Sequence, residues 1–172
     1  MQVPKAPLHD ILNIKVLLFT KKAAVISQTA EYALRAMVFL AVQKSPVTGK
    51  DIAQVTKVPA GYLSKLMQQL VKSKLVKSQR GIGGGFVLSG DADTISILDV
   101  VNAVAPIDKI TTCPLEIKSH GFNLCPLHKR LAAAINQVEA AFAQSKLSEL
   151  VGESQSPLCT SIPAMPDSSI LQ

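Results

Sequence analysis

Aromatic side chains make up only 4% of the chain and Trp is absent, so the core must be assembled from Ala, Val, Leu and Ile. With a hydrophobic fraction of 48%, that scarcity favours packed helices over a sandwich of sheets. Acidic residues are also few: 12 Asp and Glu stand against 18 Lys and Arg, a net charge of +6 with a pI near 9.3. Such a balance points to an acidic partner. Long apolar runs are missing. The stretch Val16 to Phe19 is hemmed in by Lys15 and by Lys21 and Lys22, too short for a membrane span or a secretory core. Cysteines number three, at 113, 125 and 159, an odd count without an export signal. A disulfide framework is therefore a poor reading, and a reduced, cytoplasmic thiol or metal site a better one. The 172 residues leave room for one domain with arms.

The positive charge is concentrated. Lys44, Lys50, Lys57, Lys65, Lys72, Lys74, Lys77 and Arg80 are opposed in their segment only by Asp51. A solvated lysine-rich face is the bland alternative to a binding surface, and the organisation of the segment has to decide.

Residues 1–24 lack a sustained period and read as an N-terminal arm, or as an over-long start. A helix is expected from the N-cap Ser27, apolar nearly all round and therefore central, ended by Pro46. Thr48 with Asp51 opens a short second helix whose inward residues are Ile52, Ala53 and Val55, and Lys57, Val58 and Pro59 make the turn. The next helix, to about Ser73, places Leu63, Leu66, Met67, Leu70 and Val71 on one stripe. Gly61, Ser64, Lys65, Gln68 and Lys72 fall on the opposite face, which has no acidic residue. Leu75 to Gln79 and Phe86 to Leu88 then read as a hairpin whose tip runs from Arg80 to Gly85. A further capped helix opens at Ser96 with Asp99 and ends before Pro106. A helix from Pro126 carries Leu131, Ala134, Ile135, Val138 and Phe142, a stripe that needs a partner, either the N-terminal helix or a second subunit. The Ser- and Pro-rich residues 151–172 read as a disordered tail.

The expected fold is thus mainly α with a small β-hairpin wing: a winged helix-turn-helix over residues 25–106, a cysteine-containing loop over 107–125, and a long C-terminal helix over 126–150. That plan binds double-stranded DNA. Gly61, Tyr62, Ser64 and Lys65 would face base edges in the major groove, with Gln68 and Lys72 further along. Arg80 would enter a narrow minor groove from the wing, where Gly81 and Gly83 let the backbone approach phosphates. A merely tight turn is the bland alternative for those glycines. A phosphate loop fails because no Lys-Ser/Thr pair follows Gly85, and a dinucleotide fingerprint fails on spacing and on the strand that follows.

Cys113, His120, Cys125 and His128 stand as C-x6-H-x4-C-x2-H, four soft or borderline donors within sixteen residues. Zinc would accept them as a tetrahedral set. An iron-sulfur cluster prefers thiolates but tolerates histidine. Buried small thiols with surface histidines remain the structural alternative. Catalysis is the weakest reading, since Cys125 with His128 and Cys113 with His120 lack an oxyanion hole or any third group, so no enzyme is expected.

Several segments resemble the IscR/NsrR-type regulators of the Rrf-two (Rrf2) family of bacterial transcription factors. They are Ile26-Ser27 ahead of Glu31-Tyr32-Ala33-Leu34-Arg35-Ala36, Val58-Pro59-Ala60-Gly61-Tyr62-Leu63, Leu75 to Gly81 with Gly83-Gly84-Gly85-Phe86, and Cys125-Pro126-Leu127-His128. The resemblance covers about residues 26 to 150. It implies a homodimer on palindromic operator DNA, joined through the long C-terminal helix so that 126–150 is a dimerisation helix, with no membrane partner, and in many members an iron-sulfur cluster, 2Fe-2S ahead of 4Fe-4S, that senses redox state, iron or nitric oxide. Cluster-bearing members commonly carry three loop cysteines. The first and third match Cys113 and Cys125, while the middle one falls on Ser119 beside His120. The resemblance offers His128, or Glu31 from a second subunit, as a further ligand. Cys159 lies outside it.

Overall fold

The computed structural model describes residues 25–112 and 124–153. The expected arm over 1–24, Cys113, His120 and the tail beyond residue 153 lie outside the described residues.

Helix α1 (Gln28–Ala41) starts where Ser27 Oγ accepts the Ala30 amide at 3.2 Å. Ala30, Ala33 and Ala36 are fully buried beside Met37 and Phe39, so small residues let other helices close onto α1 along its length. The helix stops at Ala41, ahead of Pro46. Helix α2 (Gly49–Thr56) opens on Thr48, whose hydroxyl accepts the Asp51 amide at 3.3 Å and donates to its carboxylate at 2.6 Å. It buries Ile52 and, beyond the sequence expectation, Thr56, whose hydroxyl donates to the Ile52 carbonyl at 2.6 Å. Ala53 and Val55 are only half-buried. Lys57 then takes a left-handed φ of 58° to turn the chain into helix α3 (Ala60–Lys72).

The apolar stripe of α3 lands as its spacing requires: Leu63, Leu66, Met67 and Leu70 are buried, each worth about 1.5–3 kcal/mol of transfer free energy. A Schellman closure ends the helix. Lys74 adopts φ 60°, its amide donates to the Val71 carbonyl at 3.0 Å, and the Leu75 amide donates to the Leu70 carbonyl at 3.1 Å. Strands β1 (Val76–Gln79) and β2 (Gly85–Leu88) pair antiparallel, with Val76 opposite Leu88 and Gln79 opposite Gly85.

The wing has a third participant that the sequence did not announce. Val47 bridges to Phe86 on the far side of β2, exchanging amide-to-carbonyl bonds of 3.0 and 2.8 Å. The hairpin is thereby held to the start of the helix-turn-helix.

Helix α4 (Ile97–Val104) begins with a complete capping box between Ser96 and Asp99, and packs Ile97, Val100 and Val101 inward. Helix α5 (Pro126–Gln144) has Cys125 at its N-cap and Pro126 in its first turn. The single helix expected over 126–150 is in fact two. Ser145 is extended, and helix α6 (Leu147–Glu153) follows, taking in the first residues assigned to the tail. The break has a cause in backbone pairing: the Ile97 amide donates to Ser145 and the Leu147 amide to Ile95, at 3.0 and 2.9 Å. Leu147 is fully buried in the core formed by α1, α2, α3 and α4. A second, smaller cluster of Ala30, Ile97 and Val101 takes Phe142 of α5 against it.

Candidate nucleic-acid interface and sensor groove

Helix α3 presents Gly61, Ser64, Lys65, Gln68 and Lys72 exposed on its outer face, as the stripe predicts. Its N-cap is Pro59, which provides no side-chain cap, and its first turn holds no acidic residue. The Tyr62 and Leu63 amides both turn back to the Pro59 carbonyl at 2.9 Å, and the positive end of the helix dipole is offered outward, where it favours a phosphate. Ser64 is partly turned back, its hydroxyl 3.4 Å from the Ala60 carbonyl.

Tyr62 departs from the simple outward reading. It is 41% exposed, but its hydroxyl hydrogen-bonds to that of Thr29, and its ring meets Tyr32 edge-on at 5.8 Å and 72°. Arg35 lies over the Tyr32 ring at 5.8 Å. The first turn of the outward-facing helix is thus fixed on the first turns of α1. Only the contrast of a tyrosine amid small and lysine residues hinted at this from sequence.

At the wing, Arg80 is exposed and the turn beyond it closes through the Gly84 amide to the Gly81 carbonyl at 3.0 Å. Gly81 and Gly83 have φ of 99° and 75°, conformations that suit glycine. Gly84 and Gly85 are needed for space: an added Cβ would sit 2.4 Å from the Gln79 oxygen and 2.5 Å from the Val47 oxygen. The tight-turn explanation thus accounts for all four glycines, while the exposed Arg80 beside them is left for a partner.

On another face a groove of about 1190 Å³ runs between the start of α1, residues 105–108 and α5. Glu31 and Arg35 stand on one wall, and Leu131, Ile135 and Val138 on the other. No residue of α5 is fully buried, and Leu127 and Leu131 are 60% and 44% exposed. Lys109 ties the chain leaving α4 to α5 through a 3.0 Å ion pair with Glu139.

Of the metal-ligand candidates, the structure brings together Cys125 Sγ and His128 Nδ1, 3.0 Å apart on the first turn of α5. Their donor chemistry, one thiol and one imidazole on a single turn, suits a soft metal or a cluster. Among the described residues no group of three or more His, Cys, Asp or Glu is close enough to hold a metal ion. Glu31 lies on the groove wall, and Cys113 and His120 are outside the described residues. No described helix is long and apolar enough to cross a membrane.

A two-helix reading unit, a glycine-tipped basic hairpin and an acid-free outer helix face define a winged helix-turn-helix, DNA-binding transcription regulator. The family model described as an iron-dependent transcriptional regulator, Rrf2, matches residues 26–153, and the chain belongs to that family. It is similar to the HTH-type transcriptional regulator IscR of Vibrio vulnificus (strain YJ016), 33% identical over 132 residues that cover 76% of this chain and 79% of the relative. Among solved structures it resembles CymR, the global cysteine regulator of B. subtilis, with a TM-score of 0.62 and 27% identity over 74% of this chain and 96% of the other. It also shares its fold with T. potens IscR, at a TM-score of 0.63 and 23% identity over 77% of this chain and 89% of that one. These relatives are regulators, so the Cys125–His128 pair is not read as hydrolytic machinery.

Proposed function

We propose that the protein works in the cytoplasm as a homodimer on palindromic operator DNA, and that residues 107–128 hold an iron-sulfur cluster, 2Fe-2S ahead of 4Fe-4S, through which it senses redox state, iron or nitric oxide. The observation that carries the sensor reading is the Cys125–His128 pair at the N-terminus of α5. Cys113, His120 and Glu31 of a second protomer are the candidates to complete the ligand set. A cluster there would supply a redox-labile tie between the loop and α5.

The dimer rests on α5, a helix of 19 residues without a buried side chain and with Leu127 and Leu131 exposed. A second copy would cover that stripe and set the spacing of the two α3 helices to successive turns of the duplex. On DNA, Gly61, Tyr62, Ser64 and Lys65 approach the major groove, Gln68 and Lys72 lie further along, and Arg80 with Gly81 and Gly83 reaches the minor groove. The route from sensor to DNA uses this chain's own contacts. Residues 105–108 and the α5 stripe line the same groove as Glu31 and Tyr32, and Tyr32 together with Thr29 holds Tyr62 on α3.

Ser119 at the place of a third thiolate favours a second reading, a zinc-stapled or cluster-free regulator answering to a small molecule or protein. Absorbance spectra with iron, sulfide and zinc analysis separate the two, on protein purified without oxygen beside Cys113→Ala and Cys125→Ala variants. Stoichiometric iron and sulfide, lost in both variants, are expected. Zinc alone would make the loop a staple, and absence of any metal would remove the cluster reading.

A further inference from the structure

Ile82 is more exposed than any other large hydrophobic residue described, at 111% of its reference area, and it stands at the extreme tip of the wing. The turn that carries it, with left-handed glycines at 81 and 83 and the bond from the Gly84 amide to the Gly81 carbonyl, directs it away from the core. Those glycines also strip the tip of other bulk, so Ile82 and Arg80 are its only large side chains. The segment that carries it is basic, with Lys72, Lys74, Lys77 and Arg80 and no acidic residue between Asp51 and Asp91. An apolar tip in a positive field fits a partner that is anionic outside and apolar within. The minor groove of B-DNA has that character, with phosphates on its rims and deoxyribose on its walls, about 6 Å apart.

We propose that Ile82 is a specificity-determining contact of the wing, packing against the sugar walls of the minor groove beside the Arg80 guanidinium. The proposal rests on the DNA-binding reading of the same wing and adds an apolar component to it. Arg80 answers to the electrostatic potential of the groove and Ile82 to its width, so the two respond to salt differently. Charge contacts release counterions, whereas apolar packing does not.

The test uses the full chain and a duplex selected by it from a random-sequence pool, with affinity measured by fluorescence anisotropy over a salt series. Ile82→Ala is expected to weaken binding on the order of tenfold at every salt concentration, with an unchanged salt slope. Ile82→Leu should stay close to the parent, and Arg80→Ala should lower the slope by about one. Because Ile82 is fully exposed, the thermal midpoint of Ile82→Ala should match the parent, which keeps a folding defect out of the comparison. Parental affinity in Ile82→Ala overturns the proposal, leaves DNA binding standing and directs Ile82 to a protein partner. Failure of the parent chain to select or bind any duplex would overturn the DNA reading itself and the proposal with it.

Discussion

The hydroxyl of Tyr62, in the first turn of α3, hydrogen-bonds to the hydroxyl of Thr29, in the first turn of α1. This joins the proposed recognition helix to the helix that walls the groove. It also gives Tyr62 a structural task that a pure base-contact reading omits.

Tyr62→Phe keeps the edge-on ring contact with Tyr32 and removes the hydrogen bond. Because Tyr62 is exposed and Thr29 only half-buried, a loss of about 0.5–1 kcal/mol is expected in urea unfolding. Thr29→Ala should cost a similar amount, and the double variant little more than either alone, since one bond is lost only once. Additive losses would show that the two hydroxyls act separately.

Gly61 and Gly85 should respond oppositely to alanine. An added Cβ at Gly61 meets nothing within 4 Å, and the position is helical, so Gly61→Ala should stabilise the free protein by up to about 1 kcal/mol. If the α3 backbone lies close to DNA at this point, the same variant binds its operator more weakly, a loss that instability cannot explain. At Gly85 the new Cβ would sit 2.5 Å from the Val47 oxygen, so Gly85→Ala should cost about 2 kcal/mol or more and free the wing from its bridge. Thermal unfolding and operator affinity of the two variants check both signs.

The capping box of α4 gives a pH signature. Hydrogen bonds from the Ser96 hydroxyl and then from the Ser96 amide hold the Asp99 carboxyl below the usual carboxylate range; burial opposes them, and the positive charge of Lys146 adds the least. A carboxylate with a depressed folded pKa stabilises above the unfolded value, about 3.9, and that stability is lost as pH falls through the folded pKa. Asp99→Ala should therefore cost about 1 kcal/mol at neutral pH. The gap between variant and parent should narrow as pH falls below about 4. A gap that stayed constant in urea titrations down to pH 3 would show that the charge of Asp99 contributes nothing to the cap.

Much of this fold was legible in the sequence because its signals are local. Ser27, Thr48 and Ser96 each cap the helix they precede, and the Leu63 to Leu70 stripe points inward as its period requires. What escaped depends on distant chain. Val47 joins the wing through backbone atoms, which carry no residue signature, and Ser145 leaves the helix because Ile95 and Ile97 take its neighbourhood into backbone pairing. Lys57 and Lys74 occupy left-handed positions where glycine would have flagged the turns. At the site, the outer face of α3 followed from periodicity. The direction of the Tyr62 side chain did not, because it depends on how α1 crosses α3.

Leu131 tests the dimer. It is 44% exposed on a helix without a buried residue, and it also lines the groove beside Ile135 and Val138. A monomer gains little from an apolar side chain in that position, whereas a second copy of α5 would bury it. Leu131→Asp should leave the unfolding midpoint of the isolated chain nearly unchanged, because the core of Met37, Phe39, Leu66 and Leu147 lies elsewhere. In light scattering the variant should shift from dimer to monomer, since a charge placed in a desolvated interface has no partner. Operator binding should then weaken by more than tenfold, because each half-site must be held without the tether to its neighbour. A Leu131→Asp protein that stays dimeric with parental affinity would move the interface off α5. The groove beside Glu31 and Arg35 would then be open to a ligand in place of a second subunit.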